Sequence, residues 1–161
     1  MNRANTIENK VIRKEMLLLQ KECSTKNDAI NSLIEKAFDT GLINKKEIFM
    51  EVVLEREAEI PTAIGYGIAI PHGKSKEVKE PFIGFLQVRN SFQWTEEIDD
   101  EVKLVFLIGV SDKNENNLHL KFISQLSKKL LDEDFRQSLK EVREVEKAFE
   151  LLTTINNTIQ N

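Results

Sequence analysis

The chain has 161 residues, 40% of them apolar and 31% charged, with 23 Lys and Arg against 27 Asp and Glu for a net charge of −4. This suits one soluble domain with a single core, and the mild acidity excludes a general nucleic-acid binder, which needs a strong positive field. A single cysteine, Cys23, excludes an intramolecular disulfide and a thiolate-rich metal cage, and the longest apolar run, residues 104–110, is far below the roughly 20 residues that span a bilayer.

In chain order, the start MNRANTIENK has no apolar stretch after its charges, so no secretion signal is expected and the protein is expected in the cytoplasm. Residues 1–13 are polar and unpatterned and read as a flexible arm, with one domain over 14–157. Met16, Leu17, Leu18 and Leu19 form a short apolar run, a strand or a helix end. Ala29, Ile30, Leu33, Ile34, Ala37 and Phe38 share one face of a helix. Thr25 with Asp28 forms a capping box at its start, and Gly41 stands where a left-handed cap ends it. A second amphipathic stretch carries Ile48, Phe49, Val52 and Val53, with Asn44 and Glu47 as start signals.

The texture then changes to β-branched and aromatic runs bounded by Pro, Gly, Asn or Asp. Residues 64–70 (IGYGIAI), 82–88 (FIGFLQV) and 102–110 (VKLVFLIGV) read as three strands, the last apolar enough to be covered on both faces. Residues 90–101, with Trp94 and five acids, read as a loop or short hairpin. Helical period returns with His119, Phe122, Ile123, Leu126 and Leu130, then with Leu131, Phe135 and Leu139, then with Val142, Val145, Phe149 and Leu152. Helices before and after a set of strands predict an α/β sandwich with helices on both faces of one sheet.

The two histidines carry the functional signal. His72 follows Pro71 at the carboxyl end of the 64–70 run, where ligand sites of open α/β sheets gather. Gly65, Gly67 and Gly73 remove side chains nearby and let a ligand approach the backbone, while Pro71 stiffens the approach. The alternative is a hydrogen-bonded, inert histidine capping a strand. His119 shares a face with Phe122, Ile123 and Leu126, which suits a core histidine. It also falls in a first helical turn, with Asn114, Asn116 and Asn117 suited to start it, and a helix N-terminus seats anions. Arg56 is favourable as a cation at a helix end, and its guanidinium also suits a phosphate held by paired hydrogen bonds.

Taken together, Arg56-Glu57, Thr62, Ile64, Gly65, Gly67 and Ile68-Ala69-Ile70-Pro71-His72-Gly73 resemble the signature of the fructose/mannitol-type (type-2) enzyme IIA components of the phosphoenolpyruvate-dependent sugar phosphotransferase system. Asn114-Glu115, His119, Ile123 and Leu126 give a second match, and the likeness runs from about Met16 to Ile155. The resemblance implies a single α/β domain with a mixed β-sheet flanked by helices on both faces. It implies that His72 accepts a phosphoryl group on Nε2 (tele-phosphohistidine) from phospho-HPr and passes it to a cysteine of a IIB component. It implies that Arg56 and His119 stabilise the charge, and that Thr62, Gly65, Gly67 and Gly73 shape the phosphate loop.

The chemistry suits these residue types. A neutral imidazole is nucleophilic near neutral pH, and phosphoryl transfer needs mainly alignment and charge stabilisation. No cofactor or metal is expected, and the sequence has no P-loop. No nucleic acid and no membrane insertion are expected. Since the sequence ends at Asn161, the IIB unit is expected on a separate polypeptide. Two visitors to one histidine imply a brief, small interface, for which Tyr66, Ile68 and Phe92 are the apolar candidates. A regulatory, nitrogen-type IIA relative that signals through the phosphorylation state of His72 has the same motif. A histidine-based metal or anion module is the third reading, weakened because zinc wants three or four protein ligands.

Overall fold

The computed structural model describes residues 11–113 and 117–160 of the chain. Five helices are present among them: α1 (Lys26–Asp39), α2 (Lys46–Glu59), α3 (Leu118–Lys129), α4 (Glu133–Glu141) and α5 (Val145–Gln160). The strands are β1 (Leu17–Lys21), β2 (Ala63–Gly65), β3 (Ile68–Ala69), β4 (His72–Lys74), β5 (Phe82–Thr95) and β6 (Ile98–Val110). They form one mixed sheet in the order β1-β5-β6-β3-β2, with β4 also paired to β6. β1 runs parallel to β5, and β3 and β4 run parallel to β6, whereas β5 and β6 are antiparallel, as are β2 and β3.

Strand period 2 divides the core between the two faces of this sheet. Ile83, Phe85, Leu104, Phe106 and Ile108 pack against Phe122 and Leu126 of α3, Leu139 of α4 and Leu152 of α5. The alternate residues Phe82, Leu86, Val105 and Leu107 pack against Ile30 and Leu33 of α1 and Phe49 and Val53 of α2. Covering on both faces explains why residues 104–110 read as unbroken apolar sequence.

Helix α1 begins and ends as its sequence signals require. Thr25 Oγ1 accepts the N–H of Asp28 at 3.1 Å, and the Asp28 carboxylate accepts the N–H of Ser24 at 3.2 Å. At the other end Gly41 takes φ +82°, and the N–H groups of Gly41 and Leu42 reach back to the carbonyls of Phe38 and Ala37 at 3.0 and 2.9 Å.

Four expectations change. Residues 64–70 are not one strand: Gly65, Tyr66 and Gly67 take successive φ values of +92°, +61° and +78°, which turns the chain into the tight β2–β3 hairpin. His72 is therefore not in a loop beyond a strand's end; it opens β4, which continues along the same edge of β6 as β3 after a break at Ile70 and Pro71. Residues 90–101 belong to the long β5–β6 hairpin, with Trp94 buried. Finally, Ile12 is 1% exposed and sits in the core with Val11 packed against it, so the arm expected over 1–13 does not extend to these two residues. Residues 1–10 lie outside the described part.

Candidate functional site

Where α2, β4 and α3 converge they enclose a cleft of about 480 Å³. Its polar walls are Arg56 from the last turn of α2, His72 and Lys74 from β4, and His119 from the first turn of α3. Val52, Leu120 and Ile123 supply apolar wall. His72 and Lys74 are two apart on a strand and share a face. Gly73 between them points the other way: a Cβ there would lie 2.9 Å from Val53 Cγ2 and 3.0 Å from Phe49 Cε1. The glycine is thus what lets β4 lie against α2 and bring His72 next to Arg56.

His72 is half-buried, and its Nδ1 is 2.9 Å from the carbonyl oxygen of Ile70. A carbonyl only accepts, so the neutral ring carries its proton on Nδ1 and its lone pair on Nε2. Burial holds the ring's pKa below the ordinary value for histidine, and the positive charge of Arg56 pushes in the same direction. The Ile70 carbonyl and the carboxylate of Glu57 oppose this in part. The result is an unprotonated, nucleophilic imidazole at neutral pH.

His119 is also held below the ordinary histidine value, first by burial and then by the charges of Lys74 and His72. Its Nδ1 is enclosed and has no hydrogen-bond partner among the described residues. Helix α3 opens at Asn117, in a left-handed conformation (φ 51°, ψ 48°) with no side-chain cap, so the positive end of its dipole borders the cleft. Asn114 and Asn116, expected to help start this helix, lie outside the described residues. Arg56 donates from one terminal nitrogen to the carbonyl of Ile60 at 3.0 Å, which anchors the guanidinium at the helix end.

The structure therefore brings Arg56, His72 and His119 together, with Gly73 on the same cleft. It does not bring Thr62, Gly65 or Gly67 there. Gly65 and Gly67 make the β2–β3 turn, and the Gly67 carbonyl accepts from the N–H groups of Lys103 and Leu104 at 2.8 and 3.0 Å. Thr62 is buried and donates its hydroxyl to Glu57 at 2.6 Å. Of the apolar interface candidates only Tyr66 is exposed; Ile68 and Phe92 are buried in the core. Ile60 and Leu120 are the exposed apolar residues beside the site, at 66% and 55%.

At or behind the site, Lys74 escaped the sequence reading, and Glu57 was quoted in the signature without a role. Lys74 had a signal in the period of a strand, since residue i+2 from His72 faces the same way. Glu57 had one in its place: an acid in the last turn of a helix opposes the dipole and needs another reason to be there. The cleft's charged side chains are cations and histidines, a set that fits a multiply charged anion. Among the described residues no group of three or more His, Cys, Asp or Glu is placed to hold a metal ion.

Residues 10–155 match the family model described as phosphoenolpyruvate-dependent sugar phosphotransferase system, EIIA 2. A fructose-specific EIIA component of Haloferax volcanii is 31% identical over 141 residues, which cover 88% of this chain and 91% of that protein. Fructose-specific EIIABC components of Mycoplasma pneumoniae and Bacillus subtilis are far longer, and the chain spans 17% and 20% of them. The crystal structure of IIA mannitol from Escherichia coli superposes with a TM-score of 0.76 at 29% identity, covering 87% of this chain and 97% of that one. The IIA mannitol protein in complex with phosphorylated IIB mannitol from Escherichia coli gives a TM-score of 0.77 at 27% identity, covering 89% and 99%.

Proposed function

This chain belongs to the type-2 EIIA family, phosphotransferase components of the phosphoenolpyruvate-dependent sugar phosphotransferase system, and on that premise we propose that His72 is its phosphoryl acceptor. The observation that carries the proposal is the Nδ1 contact to Ile70, which leaves Nε2 as the nucleophile in a cleft lined by cations. Nε2 attacks the phosphorus of a phosphohistidine on HPr. The nitrogen–phosphorus bond of the donor breaks, its electron pair returns to the donor ring, and the His72 Nε2–phosphorus bond forms. The proton stays on Nδ1 throughout, donated to the Ile70 carbonyl. Arg56, His119 and the N-terminus of α3 stabilise the charge on the transferring oxygens.

In the second half-reaction a cysteine thiolate of a IIB component attacks the same phosphorus and His72 Nε2 leaves with its lone pair. The complex of the related mannitol IIA protein with phosphorylated IIB supports a partner of this kind. The donor and acceptor both meet the rim formed by Ile60 and Leu120, over an interface on the order of 1,200 Å² or less, as fits brief encounters. The chemistry belongs to the cytoplasm, where phosphoenolpyruvate supplies the chain of carriers. No described helix is long and apolar enough to cross a membrane.

Incubation with enzyme I, HPr and labelled phosphoenolpyruvate tests this directly. The wild type takes up label that is stable to base and lost in acid, and His72→Ala takes up none. Label remaining on His72→Ala removes His72 as the acceptor. Adding a fructose-type IIB then decides the role: onward transfer supports sugar uptake, and retention of label on His72 favours regulation by phosphorylation state.

A further inference from the structure

Among the described residues, the carboxylate of Glu57 is the buried ionisable group beside the site that the mechanism above leaves without a task. It is 2% exposed, in the last turn of α2, where the helix dipole disfavours a negative charge. Three donors hold it. Oε2 accepts the N–H of Thr62 at 2.9 Å and the indole Nε1–H of Trp94 at 2.8 Å, and Oε1 accepts the Thr62 hydroxyl at 2.6 Å. The contacts continue toward the site. The Thr62 carbonyl accepts the N–H of Ile70 at 3.0 Å, and the Ile70 carbonyl accepts the Nδ1–H of His72 at 2.9 Å.

We propose that Glu57 is a positioning residue for phosphoryl transfer: through Thr62 and Ile70 it fixes the carbonyl that holds the His72 proton, and its charge stabilises the ring as Nε2 bonds to phosphorus. The proposal rests on the reading of His72 as the phosphoryl acceptor. Two separable effects are involved. The three hydrogen bonds pin residue 62, against which residue 70 docks, so the carbonyl that receives the Nδ1–H of His72 is held in place by a buried network. The negative charge favours the positively charged imidazole that develops while the new bond is half formed, much as a buried aspartate does for a catalytic histidine elsewhere. Arg56, the residue before, opposes that charge on the ring while attracting the incoming phosphoryl oxygens. The adjacent acid and base thus act on opposite ends of the same bond.

Two variants separate the effects. Glu57→Gln is isosteric: its amide oxygen accepts from Thr62 and Trp94, and its NH₂ donates to the Thr62 hydroxyl, so packing persists and only the charge is lost. Glu57→Ala removes all three acceptors. Ring ¹⁵N shifts of the unphosphorylated protein report tautomer and titration of His72 and of His119, alongside the rate of labelling from phospho-HPr. For Glu57→Gln we expect the His72 titration to move further toward acid, with a smaller change at His119, whose titration His72 influences, and labelling to slow by about tenfold. For Glu57→Ala we expect a mixed His72 tautomer and labelling slowed by about a hundredfold, the scale of a small misplacement of a reacting group. A wild-type titration and rate in Glu57→Gln overturn the proposal, and so does slow labelling with an unmoved ring, which marks a merely structural acid. If Glu57→Ala fails to fold, Glu57→Gln alone decides. The ring measurements need no phosphate, so failure of His72 as acceptor, read on His72→Ala, is distinguished from failure of Glu57 to govern the ring.

Discussion

Ile70 and His72 lie on either side of Pro71, and the backbone oxygen of the first sits 2.9 Å from Nδ1 of the second. The proline makes this possible. It has no N–H to donate, so strand pairing with β6 lapses at residues 70 and 71, while its own carbonyl accepts the N–H of Ile108 at 3.0 Å and keeps the chain in register for β4. The preceding carbonyl is left free for the ring. The fold alone thus sets the ring's tautomer, the one the proposed attack by Nε2 requires.

Acid is expected to weaken the fold. Burial is the first cause of the lowered pKa of His72 and of His119. In the unfolded chain both titrate near the ordinary value of about 6.5. Between that value and the lower folded ones the unfolded state binds more protons, so stability is full above about pH 6.5 and falls as pH drops through the folded values. Thermal unfolding followed from about pH 8 to 5 shows a plateau and then a decline, and His119→Gln makes the decline shallower. A rise in melting temperature on acidification across that range contradicts the assignment.

Arg56→Ala leaves the fold intact and slows labelling from phospho-HPr by about 10- to 100-fold, as expected for one or two charge-assisted bonds of roughly 1.5–3 kcal/mol made to phosphoryl oxygens. Arg56→Lys recovers only part of the rate, because an ammonium keeps the charge and loses the planar fork. Lys74→Gln costs less, about threefold, since Lys74 is exposed and its field is screened; raising the salt concentration narrows its difference from wild type. An unchanged rate in Arg56→Ala removes the guanidinium from the site.

Gly73→Ala destabilises the protein by about 1–3 kcal/mol, the usual cost of overpacking. The added methyl meets Val53 and the Phe49 ring, and that ring is already packed on Phe82 with centroids 6.1 Å apart. Chemical denaturation measures the loss. Because β4 shifts away from α2, labelling of His72 slows as well, even at temperatures where the variant is folded.

Gln87→Leu separates stability from activity. Gln87 is fully buried, and its amide nitrogen donates to the carbonyls of Leu139 at 2.9 Å and Val142 at 2.8 Å, closing the end of α4. Its oxygen accepts from the backbone N–H and side-chain amide of Gln20, a residue with φ +53° in β1. Leucine leaves these groups unpaired, at about 2–4 kcal/mol by denaturation, while the labelling rate of the folded fraction is unchanged, since the residue lies away from the cleft. A stability loss below about 1 kcal/mol shows that water replaces the amide.

How far the sequence reveals this molecule depends on the range of the interaction. The helices are legible because their signals are local: Thr25 and Asp28 start α1, Gly41 ends it, and 3.6-residue spacing marks the buried faces. The strands 82–88 and 102–110 are legible as apolar runs, although their polar extensions into the hairpin are not, since pairing rather than composition holds Ser91 against Glu101. The β2–β3 turn is misread because IGYGIAI has strand composition, while its two glycines and Tyr66 turn the chain. The site is legible in part: Arg56, His72 and Gly73 lie in one motif. The partners of Thr62 are not, because Glu57 and Trp94 meet across a sequence distance no period encodes. Ile68 and Phe92 fail as interface candidates for the same reason, since the strand register that buries them is set by β6.

Trp94 is the chain's single tryptophan, and its indole N–H ends on the carboxylate that also grips Thr62. Indole emission responds to the charge and hydrogen bonding around the ring nitrogen. The protein therefore carries one indole fluorophore, wired at a single remove to the loop that presents His72, so arrival of a phosphoryl group or a docking carrier is open to stopped-flow observation without any dye.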